Sequence, residues 1–302
     1  MQELDRNILD REEAKEVIKV QRAIMSSLLD FEKQKIKQWG LDVEATSGAK
    51  LELPLLRRSV ESRQLVTNFD PALVRLLREV KYFLLLGLSV PDSALKICQS
   101  SDTFRAWTGN LDLIVNMNNA VLSSLLPVEK PLVNPYLAKF DVAIQPGLES
   151  LNWRSDGVSE FIGESMEQAK VVHGILKTMK DNLGAVQDIV NKWGSPMIER
   201  KTKPMEKEEF EQTFKSMKAA NSSDIKDAGK QIHSLLKETN KVLRVSNASA
   251  DWRCYVEFVN SVEVEGLCTA IMMSLEFLLD QIDPESIRRD GQPCLYHDRT
   301  QR

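Results

Sequence analysis

Apolar residues recur at steps of three and four along nearly the whole chain, the spacing of helices with one buried face. Between residues 5 and 38, Leu9, Val17, Ile18, Ile24, Met25, Leu28, Phe31 and Ile36 stand among charged neighbours and predict an amphipathic helix. Residues 40–67, with Gly40, Gly48 and Pro54, are looser and predict a connection. Asp70 and Pro71 then make a helix start, an N-cap followed by a proline whose missing N–H costs nothing at the first helical position. Leu73, Leu76, Leu77, Val80 and Leu84 follow on one face, with Arg75, Arg78, Glu79 and Lys81 mostly on the other. The run Phe83–Leu86 is apolar all round, which predicts a helix buried on several sides. Gly87 and Pro91 end it, and Asp92 opens a short successor through Cys98.

A further helix is predicted over about 103–126. Pro127, Pro131 and Pro135 are expected to break the chain before a helix near 135–150, itself disturbed by Pro146 and Gly147. The most regular segment follows. Val172, Leu176, Met179, Leu183, Val186, Val190 and Trp193 form a heptad seam over three repeats. A continuous helix from 155 to 193 would be about 58 Å long. Gly194 and Pro196 stop it. The charged run "ERKTKPMEKEEFEQ" reads as a linker, two more helices fit about 222–245 and 249–282, and "RRDGQPCLYHDRTQR" reads as a terminal loop.

Composition narrows the class. The 302 residues are 42% hydrophobic and 28% charged, ordinary for a chain with a core. Only 13 glycines and 11 prolines argue against an all-β chain. The net charge of −4, with both signs interspersed, leaves no basic footprint for nucleic acid. No apolar run approaches the roughly 20 residues of a bilayer crossing, and the charged opening "MQELDRNILDREEAKEVIKV" does not resemble a signal peptide. Four scattered cysteines, Cys98, Cys254, Cys268 and Cys294, suit a reducing compartment, so the sequons at Asn221 and Asn247 are taken as coincidental.

Candidate chemistry is thin. "AGKQ" at Ala228–Gln231 lacks the upstream glycine and the hydroxyl of a phosphate loop, so Lys230 is expected to be solvated. No dinucleotide fingerprint, nucleophile elbow or zinc-protease helix occurs. His173 and His233 are expected to be packed or half-exposed helix residues. His297, Asp298 and Cys294 are too close in sequence for a spatial triad. Arg78 and Glu79 are expected to form salt bridges at a helix seam, with their stems along the apolar face. Glu263 and Glu265 point to different helix faces and cannot pair as acid and base. The tryptophans Trp39, Trp107, Trp153, Trp193 and Trp252 stand near helix ends as core anchors. No catalytic, cofactor-binding or metal-binding residue and no cofactor is expected. The fold class is all-α: an elongated succession of antiparallel helical bundles with one long heptad-patterned helix. Its expected divisions are 1–150 (bundle), 151–200 (joining helix) and 201–302 (second bundle with terminal loop).

"NFDPALVRLLREVKYFLLLGLSVPDSALKI" (68–97), "FRAWTGNLDLIVNMNNAVLSSLLPVEKPLV" (104–133) and "GLESLNWRSDGVSEFI" (147–162) resemble, in order, the tail of axonemal dynein heavy chains of the outer-arm type. The resemblance covers about 60–200. Residues 1–59 fit the preceding helix, and "WRCYVEFVNSVEVEGL" and "SLEFLLDQID" are weaker matches to the continuing tail. "VNMNNAV" departs from the family, which more often has an aromatic residue before the asparagine. The resemblance implies a non-catalytic segment of a far longer motor chain, whose ATPase is a separate AAA+ ring. The implied partners are other dynein heavy chains, intermediate and light chains, and axonemal docking factors, in the cytoplasm and the ciliary or flagellar axoneme. Such a segment is expected to expose apolar seams that the complex covers. The alternative is a free-standing helical adaptor or coiled-coil cytoskeletal protein.

Overall fold

The structure, a computed structural model, describes residues 11–198 and 205–282. Residues 5–10 of the helix expected over 5–38, residues 199–204 of the expected linker, and the expected terminal loop with Cys294, His297 and Asp298 lie outside the described residues. Among the described residues the chain is all-α apart from one short hairpin. In order it forms α1 (Glu12–Leu51), β1 (Leu56–Arg58), β2 (Leu65–Thr67), α2 (Pro71–Leu85), α3 (Asp92–Gln99), α4 (Ser101–Ser124), α5 (Lys130–Glu149), α6 (Val158–Asn191), α7 (Lys207–Leu243) and α8 (Ala250–Ile282). The chain divides into two compact units, residues 1–116 with 143–166, and residues 117–142 with 167–302.

In the first unit, α1 does not stop at Gly40 but runs to Leu51, so the expected connection over 40–67 is a helix end followed by a hairpin. Gly40 and Gly48 each cost up to about 1 kcal/mol in a helix interior. The buried face of Val43, Ser47 and Leu51 outweighs that. Gly40 also serves a close approach, since a Cβ there would stand 3.1 Å from the Pro91 ring. The hairpin pairs Leu56 with Thr67, Arg57 with Val66 and Arg58 with Leu65. Leu55, Leu56 and Leu65 are fully buried beneath it.

The start of α2 is as the sequence predicts. The Asp70 carboxylate accepts from the Ala72 N–H at 2.7 Å, and Pro71 opens the helix. Leu73, Leu76 and Val80 are buried, and Gly87 ends the segment with φ +70°. The expected burial on several sides does not hold. Tyr82, Leu84, Leu85 and Leu86 are all exposed, with Leu85 at 74%. The Leu73–Val80 stripe is buried, and beyond it Phe83 stands edge-on to Trp39 of α1 at 4.7 Å between ring centroids.

In the second unit the heptad seam is the core. Val172, Leu176, Met179, Val186 and Val190 of α6 are buried, and Leu183 is half-buried. Asn182 sits in the same row and donates to Thr239 Oγ1 of α7 at 2.9 Å. Gly266 of α8 lies against α6, where a Cβ would overlap the Val190 side chain. Tyr136 of α5 donates its hydroxyl proton to the Leu243 carbonyl at 2.6 Å, satisfying a carbonyl at the end of α7.

Two further element boundaries differ from expectation. α5 begins at Lys130 and carries Pro131, Pro135 and Pro146 within it. Pro131 lies in the first turn, where its missing N–H was unpaired anyway. An interior proline costs about 3 kcal/mol. Burial of Leu132, Val133, Phe140 and Ile144 along the helix offsets it. Gly147 has a separate reason, because a Cβ there would overlap the Phe161 ring. α7 begins at Lys207, fifteen residues before the expected start. Its charged opening is a helix N-terminus: Glu208 and Glu209 face the positive end of the dipole.

Candidate functional site

The sequence motifs converge on a corner of the first unit. Asn68 binds twice to the segment leading into β1, donating from its backbone N–H to the Leu55 carbonyl at 2.9 Å and from Nδ2 to the Pro54 carbonyl at 2.9 Å. Its own carbonyl accepts the indole N–H of Trp153 at 3.0 Å. The Phe69 ring stands edge-on to Trp153 at 4.7 Å between centroids, and Phe104 packs against both. The Trp153 N–H donates to the Leu51 carbonyl at 3.1 Å, which ties the end of α1 into the same knot. Asn152 bridges to Pro54 and accepts from the Arg154 N–H on Oδ1. The asparagine–phenylalanine–aspartate and asparagine–tryptophan motifs are therefore one structural joint, made of backbone and amide hydrogen bonds and aromatic edges. It contains no nucleophile and no acid–base pair.

The other singled-out residues among those described do not assemble a reaction centre. Among the described residues Glu79 forms no salt bridge; its Oε2 accepts from Trp39 Nε1 at 2.9 Å, and Arg78 is exposed beside it. A half-buried carboxylate takes the nearest donor, and the indole of α1 is in place. His173 and His233 are exposed helix residues. Lys230 is exposed and pairs with Asp227 at 2.7 Å. Trp153 and Trp252 are buried; Trp39, Trp107 and Trp193 are half-buried. Among the described residues no three His, Cys, Asp or Glu side chains stand together as metal ligands, and no helix is long and apolar enough to cross a membrane.

Sequence reasoning passed over one buried polar cluster. Glu129, in the α4–α5 turn, is fully buried; its Oε2 accepts from the Leu126 N–H at 2.8 Å and from Lys180 Nζ at 2.6 Å. Burial, and to a lesser degree the Glu129 charge, pushes the Tyr255 hydroxyl up to about 12. The only clue in the sequence was a glutamate flanked by apolar residues and prolines in "LLPVEKPLV". A carboxylate with no solvent exposure cannot meet a substrate from solution, so the cluster is a packing device that neutralises a buried charge.

What remains for function is surface. Along α1, Val17, Ile24, Leu28 and Phe31 lie on one side of the helix, and each is at least half exposed. Tyr82, Leu85 and Leu86 form a second apolar area at the end of α2. Phe214, Ile271, Leu275 and Leu279 form a third on α7 and α8. Burying one such side chain gains about 1.5–3 kcal/mol, so these rows are the surface whose burial is worth most.

Comparison with known proteins agrees with a helical module built for packing. The family description "Dynein heavy chain, N-terminal region 1" matches residues 1–161. The chain is 36% identical, over 97% of its length, to the dynein beta chain of the flagellar outer arm of Chlamydomonas reinhardtii. It is 32% identical over 92% of its length to the ciliary dynein beta chain of Heliocidaris crassispina, and 33% identical over 84% to dynein axonemal heavy chain 11 of Sus scrofa. It spans 7% of the first of these relatives and 6% of the other two. A helical chain whose motifs form a joint rather than a reaction centre, matched over nearly all its length by the tail of axonemal motors, belongs to the dynein heavy chain family and represents its N-terminal tail region.

Proposed function

We propose that this chain is a structural and assembly module in a ciliary or flagellar outer-arm dynein, linking the microtubule motor to its associated chains and to the cargo microtubule. The observation that carries the reading is the alignment over 97% of this chain to a flagellar outer-arm beta chain of which it makes up 7%. Parent heavy chains hydrolyse ATP in an AAA+ ring elsewhere, and this segment transmits load. Packed helices suit that role because bending them disturbs close-packed seams such as Val172–Val190. Its partners are other dynein heavy chains, intermediate and light chains, and axonemal docking factors, in the cytoplasm and the axoneme.

The test is to label this segment in the parent heavy chain and locate the label in electron density of assembled axonemal arms. Label in the arm's tail, beside intermediate chains, is the expected outcome. Label in the motor ring, or a parent chain absent from axonemes, overturns the reading. So does ATP turnover by the purified 302-residue chain above a protein-free control.

A further inference from the structure

The α7–α8 pair is closed near its turn and open at its far ends. Close to the turn, Ile232, Leu243, Trp252, Tyr255 and Val259 are buried. The same row of α7 continues away from the turn through Ile225, Asn221, Met217, Phe214 and Phe210, still at steps of three and four. There it is only half covered among the described residues. Phe214 is 46% exposed, and Leu275, which faces the same space from α8, is 50% exposed. Between the two rows lies an apolar groove of about 500 Å³. Met197 lines it and is fixed by two hydrogen bonds: its N–H donates to Ser274 Oγ at 2.8 Å, and its carbonyl accepts from Asn221 Nδ2 at 2.9 Å.

The groove's rim is charged on one side. Lys218 and Lys226 of α7 line it and are exposed. Neither is in an ion pair among the described residues, whereas nearby Lys215 and Lys230 pair with Glu211 and Asp227. Eight residues of helix separate the two rim lysines by about 12 Å.

We infer that this groove docks one amphipathic helix of a partner chain, with an apolar stripe on its face and carboxylates along its flank. The occupant is a helix because the three–four seam of α7 extends past its intrachain partner, and a trough between two helices fits the ridge of a third. Met197 and Met217 let the floor adapt to the incoming side chains. The flank is acidic because Lys218 and Lys226 present two cationic positions that carboxylates seven or eight residues apart would complement. A lipid surface would satisfy the lysines but would leave a concave trough unfilled. The inference stands on this groove alone, so it survives failure of the dynein assignment, and the assignment survives its failure.

The test uses the whole chain with methyl-labelled methionine and two synthetic helices of about three heptads. Both carry the same leucine stripe; one has glutamate flanks, the other lysine flanks. The glutamate peptide is expected to bind saturably, to shift the Met197 and Met217 methyl signals, and to bind at least about tenfold more tightly than the lysine peptide. Leu275→Asp, a half-exposed position at which the fold is retained and checked by near-ultraviolet dichroism, is expected to weaken binding by about tenfold or more. Lys218→Glu with Lys226→Glu is expected to reverse the preference between peptides. The proposal is overturned by absence of saturable binding, by equal affinity for both peptides, or by indifference to Leu275→Asp. It is also overturned if the groove methyls respond only to protein concentration, which would make the occupant a second copy. Binding to phosphatidylserine vesicles but to neither peptide would make it a membrane.

Discussion

The indole N–H of Trp153 donates to the backbone carbonyl of Asn68 across 85 residues of sequence, at 3.0 Å. This single bond joins the two motifs by which the family resemblance is recognised, and it accounts for both as parts of one joint. Trp153→Phe keeps most of the packing and removes the donor. It is expected to destabilise by about 1–2 kcal/mol. Trp153→Ala is expected to cost about 3–5 kcal/mol. Urea unfolding followed by far-ultraviolet dichroism measures both; a Trp153→Phe protein as stable as the parent contradicts the joint.

Gly266 allows α8 to touch Val190 of α6. Gly266→Ala gains helix propensity of up to about 1 kcal/mol but meets a side chain on the heptad seam. A net loss of about 1–3 kcal/mol in unfolding free energy is expected. Adding Val190→Ala makes room, so the double variant should lose less than the sum of the singles, which a double-mutant cycle reads directly.

Glu129 has no solvent exposure, and its cationic partner is Lys180. Lys180→Met leaves the carboxylate buried without its countercharge and is expected to cost about 3–5 kcal/mol. Glu129→Met combined with Lys180→Met removes both charges and is expected to recover most of that loss. Thermal and urea unfolding of the three proteins decide it; equal stability of the single and double variants would refute the buried-pair account.

Tyr255 gives a pH dependence. Its hydroxyl is raised to about 12, first by burial and second by Glu129. The unfolded chain loses this proton near pH 10, before the folded chain does. The contribution is therefore fully present below about pH 10 and is lost as pH rises towards 12, at up to about 1.4 kcal/mol per pH unit. Tyr255→Phe lacks this dependence. The difference between the two unfolding free energies, measured from pH 9 to 11.5, should fall with pH for the parent; a flat difference refutes the assignment.

The exposed stripe of α1 predicts tolerance. Leu28→Gln is expected to change stability by no more than about 0.5 kcal/mol, because the side chain is already in water. Leu55→Ala, at a fully buried site, is expected to cost about 2–5 kcal/mol. Parallel melting curves compare them. A large loss at Leu28 would mean that this stripe is covered within the chain.

Short-range features were legible. The Asp70–Pro71 helix start involves groups two residues apart, and the seam from Val172 to Val190 repeats often enough to reveal its own period. Helix boundaries were misread where tertiary burial outweighed local cost, as at Gly40 and Gly48 in α1 and at Pro135 in α5. The opening of α7 was misread for the opposite reason: a run of charges looks like a linker until its acids are seen to stand in a helix's first turn. The Glu79 partner could not be read at all. Trp39 lies forty residues away, and nothing in the neighbourhood of Glu79 names it.

Helical periodicity, the missing reaction motifs and the family motifs were all present in the linear chain, because each depends on residues a few positions apart. The coverage of each apolar row was not. Phe210–Ile225 and Ile232–Leu243 share the same α7 spacing, yet the row is half open at one end and closed at the other. Burial needs a neighbour, and neighbours are assigned by the packing of helices distant in sequence. The pattern states that a face is apolar, and only the packed chain shows which part of it still faces water.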